Sequence, residues 1–131
     1  MDIIQKIEIL SNARQRISKP ENFLQCQLDN NRGGYCSVGA VMAAIHGDTK
    51  HNLSGIGTEC CVELSKDLPS TVGRSSIGMV ILYNNSHSHA EVLAMFDTTI
   101  KRLKRELVIE NLKEAKVTLE TEGEWKVLES V

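Results

Sequence analysis

Ser88-His89-Ala90-Glu91 followed by Val92, Phe96, Ile100, Leu103 and Leu107 constrains this chain more than any other stretch. A serine hydroxyl can accept one unpaired backbone N–H at a helix start while a glutamate three residues on reaches back to the serine's own N–H, so the tetrapeptide reads as a capping box. The apolar residues behind it recur at spacings of three and four, the period of one helical face. A helix is therefore predicted from Ser88 at least to Glu106 and as far as Glu114, and the rest of the fold has to cover its stripe. With 131 residues the chain is long enough to do so as a single domain, 1–131, with its own core.

The covering elements follow from local signals. Asp2 can cap a first helix whose stripe is Ile3, Ile7, Leu10, Ala13 and Ile17, ending near Ser18 ahead of Pro20. From Lys19 to Gly34 the period breaks and Asp29-Asn30-Asn31-Arg32-Gly33-Gly34 is dense in turn formers, so a loop pinned by Phe23 and Leu24 is expected. A second helix should run from about Tyr35 to His46, with Val38, Val41, Met42 and Ile45 inward and Gly47 as its stop. Thr58 can cap a third, through Val62 and Leu64 to about Leu68, ended by Pro69. Ile77 to Tyr83, a short apolar run holding the branched Val80 and Ile81, reads as a buried strand or extended segment.

Val117 to Leu128 alternates with the period of strands around Glu122-Gly123-Glu124. A three-residue loop there sets Thr121 against Trp125 and Leu119 against Val127. Such a hairpin is marginal alone and needs the helices or a second subunit, which makes a homodimer through the C-terminal helix and hairpin one expectation. The expected fold class is thus α+β, mainly helical, with a short central extended segment and a C-terminal β-hairpin.

Charge and composition narrow the partners. The formal net charge is −2 and aromatic residues make up 4%, which argues against general nucleic-acid binding and leaves few stacking platforms for bases. The longest apolar runs, such as Met79 to Leu82, fall far short of the ~20 residues of a membrane span. The N-terminal segment is amphipathic rather than a basic region followed by an apolar run, so a cytoplasmic location is expected, with Cys26, Cys36, Cys60 and Cys61 as free thiols. Adjacent Cys60-Cys61 and the spacings of His46, His51, His87 and His89 match no zinc pattern. No metal and no cofactor are expected.

Gly33-Gly34-Tyr35-Cys36-Ser37-Val38-Gly39-Ala40 reads as a glycine turn that delivers a thiol onto the first turn of a helix. Unpaired N–H groups and the helix dipole there favour a thiolate if the sulfur is exposed. Together with Tyr83-Asn84-Asn85 and His89-Ala90-Glu91-Val92-Leu93, this segment resembles a family of small bacterial and phage proteins known only as a domain of unknown function. Its members show a Cys-x-x-Gly-Ala helix start, a Trp-Asn-Asp turn and a Thr/His-x-x-Val-Leu helix. The resemblance spans roughly Ile3 to Leu103, leaves about 107–131 as an extension, and departs at Tyr83 in place of tryptophan and Asn85 in place of aspartate.

Two site readings compete with plainer ones. Cys36 with His87 or His89 and an asparagine has the residue types of a cysteine hydrolase or transferase, in which imidazole takes the thiol proton. The plainer reading makes Cys36 a small buried core residue. Cys36, Tyr83, Asn84, Asn85 and Ser88 can alternatively line a polar pocket between two helix starts, suited to a small polar or anionic ligand, whereas Asn84-Asn85 is first of all turn chemistry. Lys101-Arg102-x-Lys104-Arg105, followed by an acid-rich tail, reads as a solvated helix face, as one side of a homodimer in which basic helix and acidic tail face each other, or as a surface for an acidic protein partner. With no complete catalytic set, the leading expectation is a small non-enzymatic binding or regulatory protein of bacterial or phage origin, acting on a host or defence component. The cysteine enzyme is the alternative.

Overall fold

The capped stripe folds as predicted and then keeps going. In the computed structural model, which describes residues 2–69 and 74–121, the last helix runs His89–Thr121. Ser88 Oγ accepts the Glu91 N–H and Glu91 Oε1 accepts the Ser88 N–H, closing the capping box at 3.2 and 3.0 Å. Four shorter helices cover its stripe: α1 Ile3–Arg16, α2 Ser37–His46, α3 Ile56–Ser65 and α4 Ser76–Ser86, with the long one as α5. A 3-10 turn, Pro20–Asn22, opens the loop between α1 and α2.

The fold is a five-helix bundle with no strand among the described residues, which corrects the expected α+β class. Two segments carry the difference. Ile77–Tyr83 lies inside α4, where Ser75 Oγ accepts the Gly78 N–H as a cap. A continuous apolar run has no period to separate strand from helix, and a helix satisfies its own backbone where a strand would need a partner ladder. Val117 to Thr121, read as the first strand of the hairpin, is helix. There the nucleation cost has already been met, so each further residue adds a hydrogen bond for one residue ordered. The rest of the expected hairpin, including Trp125 and Val127, lies outside the described residues.

The core joins Leu10, Ala13 and Ile17 of α1 to Val38 and Val41 of α2, Cys61 and Leu64 of α3, Val80 of α4, and Val92, Phe96, Ile100 and Leu103 of α5. Helix α3 begins one turn earlier than Thr58 suggested, with Gly55 as its N-cap, and ends at Ser65. Gly47 closes α2 in the left-handed region, φ 84°. Arg14 holds α1 to α5 through a two-pronged pair with Asp97 at 2.7 and 3.1 Å.

One buried carboxylate ties three helices together. Glu63, only 4% exposed, accepts from Lys6 at 2.7 Å, Lys66 at 2.9 Å and Arg102 at 3.1 Å, and Arg102 also donates to the Glu63 carbonyl, Asp67 and Glu106. Burial by itself pushes this carboxyl up, but the hydrogen bonds from Lys6, Lys66 and Arg102 outweigh it and hold its pKa down at about 2, against an ordinary 4.5. Because the folded pKa lies below the unfolded one, the stabilisation is full above about pH 5 and is lost as the pH falls toward 2. Urea unfolding should therefore weaken across that window by on the order of 3 kcal/mol from this group. Glu63→Gln should unfold at lower urea at pH 7 and show a flatter acid limb; an unchanged acid limb would remove Glu63 from this role.

Candidate functional site

The residues singled out around the second helix start meet at one buried amide. Asn84, 1% exposed, sits in the last turn of α4 rather than in a turn after a strand. Its Oδ1 accepts the Ser37 N–H at 2.9 Å and the Ser37 hydroxyl at 2.7 Å. Its Nδ2 donates to the Leu24 carbonyl at 2.9 Å and to Asn85 Oδ1 at 3.1 Å. Both donors and both acceptor sites of the side chain are used, so it carries no spare valence for a ligand. Asn85 Oδ1 also accepts the Cys26 N–H at 2.7 Å, holding Cys26 at φ 64°. The loop residue Gln25, which no sequence pattern marked, donates to the carbonyls of both Asn84 and His87.

Gly39 explains how the loop comes so close. A Cβ there would collide with the Leu28 carbonyl oxygen, the same oxygen that accepts the Cys36 N–H at 3.3 Å. Phe23 and Leu24 pin this loop as expected, with Leu24 N–H donating to the Tyr35 carbonyl and Tyr35 N–H to the Asn22 carbonyl. Cys26, Leu28, Cys36, Ile81, Asn84 and Asn85 line a cavity of about 180 Å³ beside the knot.

Cys36 is the N-cap of α2 itself, one position before the helix proper, and its sulfur accepts the Gly39 N–H at 3.4 Å. At 6% exposure the thiol is pushed above its usual pKa by burial, which outweighs the hydrogen bonds from the Gly39, Val38 and Cys36 N–H groups. The lowering expected for an exposed thiol at this place is thus reversed. Burial pushes Cys60 and Cys61 up to about 12.

Both candidate histidines engage other groups. His89 Nε2 lies 2.6 Å from the Ile17 carbonyl, and its ring packs 5.1 Å from that of Phe23, so it braces α1 against α5 instead of standing in solvent. His87 stacks on Tyr83 at 3.7 Å and 15°. Ser86 Oγ donates to the Leu82 carbonyl, so it offers a lone pair to His87 Nδ1 at 3.0 Å, and the Tyr83 carbonyl offers another at 3.0 Å. Two acceptors on one nitrogen place the neutral ring's proton on Nδ1. Tyr83, His87, Leu68 and Pro69 line two clefts of about 110 and 330 Å³.

Cys36, Asn84 and Asn85 therefore share one locality, while Tyr83, His87 and Ser88 serve other contacts. No hydrogen bond joins Cys36 to a histidine among the described residues. The two helix starts are also occupied: Cys36 Sγ and Asn84 Oδ1 take N–H groups of α2, and the Ser88–Glu91 box puts a carboxylate at the start of α5. Among the described residues, no group of three His, Cys, Asp or Glu side chains is placed to hold a metal, and no helix is long and apolar enough to cross a membrane.

The model of a family of unknown function, DUF6197, matches residues 1–102, in keeping with the resemblance seen at the Cys36, Tyr83 and His89 segments. No curated protein and no solved structure matches the chain.

Thiol titration checks the site's chemistry. Exposed Cys26 should react with a disulfide reagent in the folded protein, and buried Cys36, Cys60 and Cys61 only on unfolding; fast modification of Cys36 in the folded state would restore it as a nucleophile. Asn84→Asp turns a donor into an acceptor facing the Leu24 carbonyl and Asn85 Oδ1, and should cost about 3 kcal/mol in a denaturant melt. Asn85→Asp keeps the acceptor that Cys26 and Asn84 need, and should cost less than about 1 kcal/mol.

Proposed function

The chain belongs to that family of unknown function, so its role has to be read from its own geometry, and we propose that it is a protein-binding module whose docking element is the distal half of α5. One observation carries this reading: the apolar face of α5 changes sides. Up to Leu103 the large apolar residues Val92, Met95, Phe96, Ile100 and Leu103 face the bundle. At about 100° per residue, Glu110 and Glu114 continue that inner line, whereas Val108 and Leu112 lie ~140° and ~180° round the helix from Leu103. Val108 is 57% exposed and Leu112 65%. Large apolar side chains on successive turns, pointing away from their own core, mark a surface for another molecule.

The stripe lies beyond the residues matched by the family model, so the proposal concerns this chain and is not extended to its relatives. It agrees with the expectation of a binding or regulatory protein. What weighs against the cysteine-enzyme alternative is Cys36 itself, buried, spent as a helix cap and hydrogen-bonded to no histidine among the described residues. What weighs against a small anion is that Asn84 Oδ1 and Cys36 Sγ already accept the Ser37 and Gly39 N–H groups at the start of α2, while the Glu91 carboxylate occupies the start of α5.

The test is native mass spectrometry of the full chain purified from its natural host, beside Val108→Glu and Leu112→Glu. A polypeptide complex present in the wild type and absent from both variants is the expected result. Each variant should keep its stability within about 0.5 kcal/mol, where Leu103→Ala should lose about 2 to 5. A complex indifferent to both substitutions, or a retained small molecule with no bound polypeptide, would overturn the reading.

A further inference from the structure

We propose that the cavity between the Cys26–Leu28 loop and α4 is a second binding site, separate from the stripe on α5, and that it takes a compact uncharged molecule carrying a carbonyl acceptor. Its volume of about 180 Å³ suits such a molecule, since an apolar cavity of ~150 Å³ can hold a six-membered carbon ring. The lining is soft and mostly apolar: the partly exposed Leu28 and Ile81 supply aliphatic surface, and Cys26 and Cys36 add two thiols. Among the described residues, no Lys, Arg, His, Asp or Glu side chain lines it. An ion entering would shed water with no counter-charge to meet it, so charge of either sign is selected against. One polar group of the lining is not spent inside the protein. Asn85 Oδ1 accepts the Cys26 and Asn84 N–H groups, which fixes the orientation of the amide, and Asn85 Nδ2 has no partner among the described residues. Asn85 thus brings free N–H donors to the cavity wall, and these call for a carbonyl on the ligand.

Reach within the chain leaves the cavity to a molecule from outside. Asn84 and Asn85 lie within ~60° of Ile81 around α4, so the three share one face. Pro69 meets the opposite face: it shares a cleft with Met79, Tyr83 and Ser86, which lie ~140° to ~200° from Ile81. The chain that leaves Pro69 therefore does so behind α4 from the cavity. At the other end of the molecule, ~50 Å of α5 separates His89, just past Asn85, from Thr121. Residues 122–131 span at most ~36 Å even when fully extended.

Saturation-transfer NMR on the full chain tests this with cyclohexanone, cyclohexanecarboxylate and cyclohexylammonium, probes that share a frame and differ in charge. Cyclohexanone should bind saturably at millimolar concentrations, the range open to so few atoms, shift the Asn85 side-chain amide resonances and slow alkylation of Cys26. Both ions should bind about tenfold more weakly or not at all. Asn85→Asp keeps the acceptor that Cys26 and Asn84 need and replaces the free donors by a negative oxygen. It should weaken cyclohexanone about tenfold and strengthen cyclohexylammonium. Val108→Glu and Leu112→Glu should leave each of these values unchanged, so the cavity and the stripe on α5 stand or fall separately. Absence of saturable cyclohexanone binding, equal binding of either ion, or indifference to Asn85→Asp would each overturn the proposal.

Discussion

The bundle depends on a buried amide whose whole hydrogen-bonding capacity is spent on two other pieces of chain and its own neighbour. Asn84 reaches the start of α2 through Ser37, the loop through Leu24, and its own neighbour Asn85, which in turn holds Cys26. A neutral amide suits this place because it supplies donors and acceptors at once. A carboxylate would face the Leu24 carbonyl with like charge, and an aliphatic side chain would strand the Ser37 N–H in the interior. The loop can lie this close only because Gly39 leaves room for the Leu28 carbonyl. One polar side chain and one absent side chain together determine where α2 begins.

How much of this could be read in the sequence divides along the range of the forces. Caps and stripes act within a few residues, and the Asp2 cap, the Gly47 stop and the Ser88–Glu91 box are where the sequence puts them. The strand expected at Ile77–Tyr83 failed because an unbroken apolar run is equally at home in a buried helix. The hairpin expected after Val117 failed because alternation over a few residues is weaker than propagation of a helix already formed. The gathering of Cys36 with Asn84 and Asn85 was legible from the element ends on which they lie. Its chemistry was not, since whether a helix-start thiol is activated or silenced depends on burial that only the folded loop provides.

Glu63 illustrates the limit from the other side. In sequence it is one acid among many on an amphipathic helix, where a solvated surface role is the natural reading. Beside the local Lys66, its partners Lys6 and Arg102 come from 57 and 39 residues away, and no local pattern announces those two. His89 is similar: its bond to the Ile17 carbonyl spans 72 residues, so a position that looks exposed in the first turn of a helix becomes a brace between helices. Long-range pairing of charged or aromatic groups is the part of the fold that periodicity cannot see.

The continuity of α5 links the two halves of the molecule in a way neither half has alone. A peptide of the length that projects past the bundle would be a poor helix in water, because starting a helix costs more than lengthening one. Here the capping box and core supply the start, and the extension only lengthens it. Its helical order is then a local equilibrium set by residue propensities along solvent-facing positions, while any association on the stripe draws on that same equilibrium. Affinity becomes adjustable without touching a contact: substitutions on the wet side of the extension that favour or disfavour helix would strengthen or weaken docking by changing how much of the surface is already in shape. Evolution can thus tune the strength of an assembly through residues that no partner ever meets.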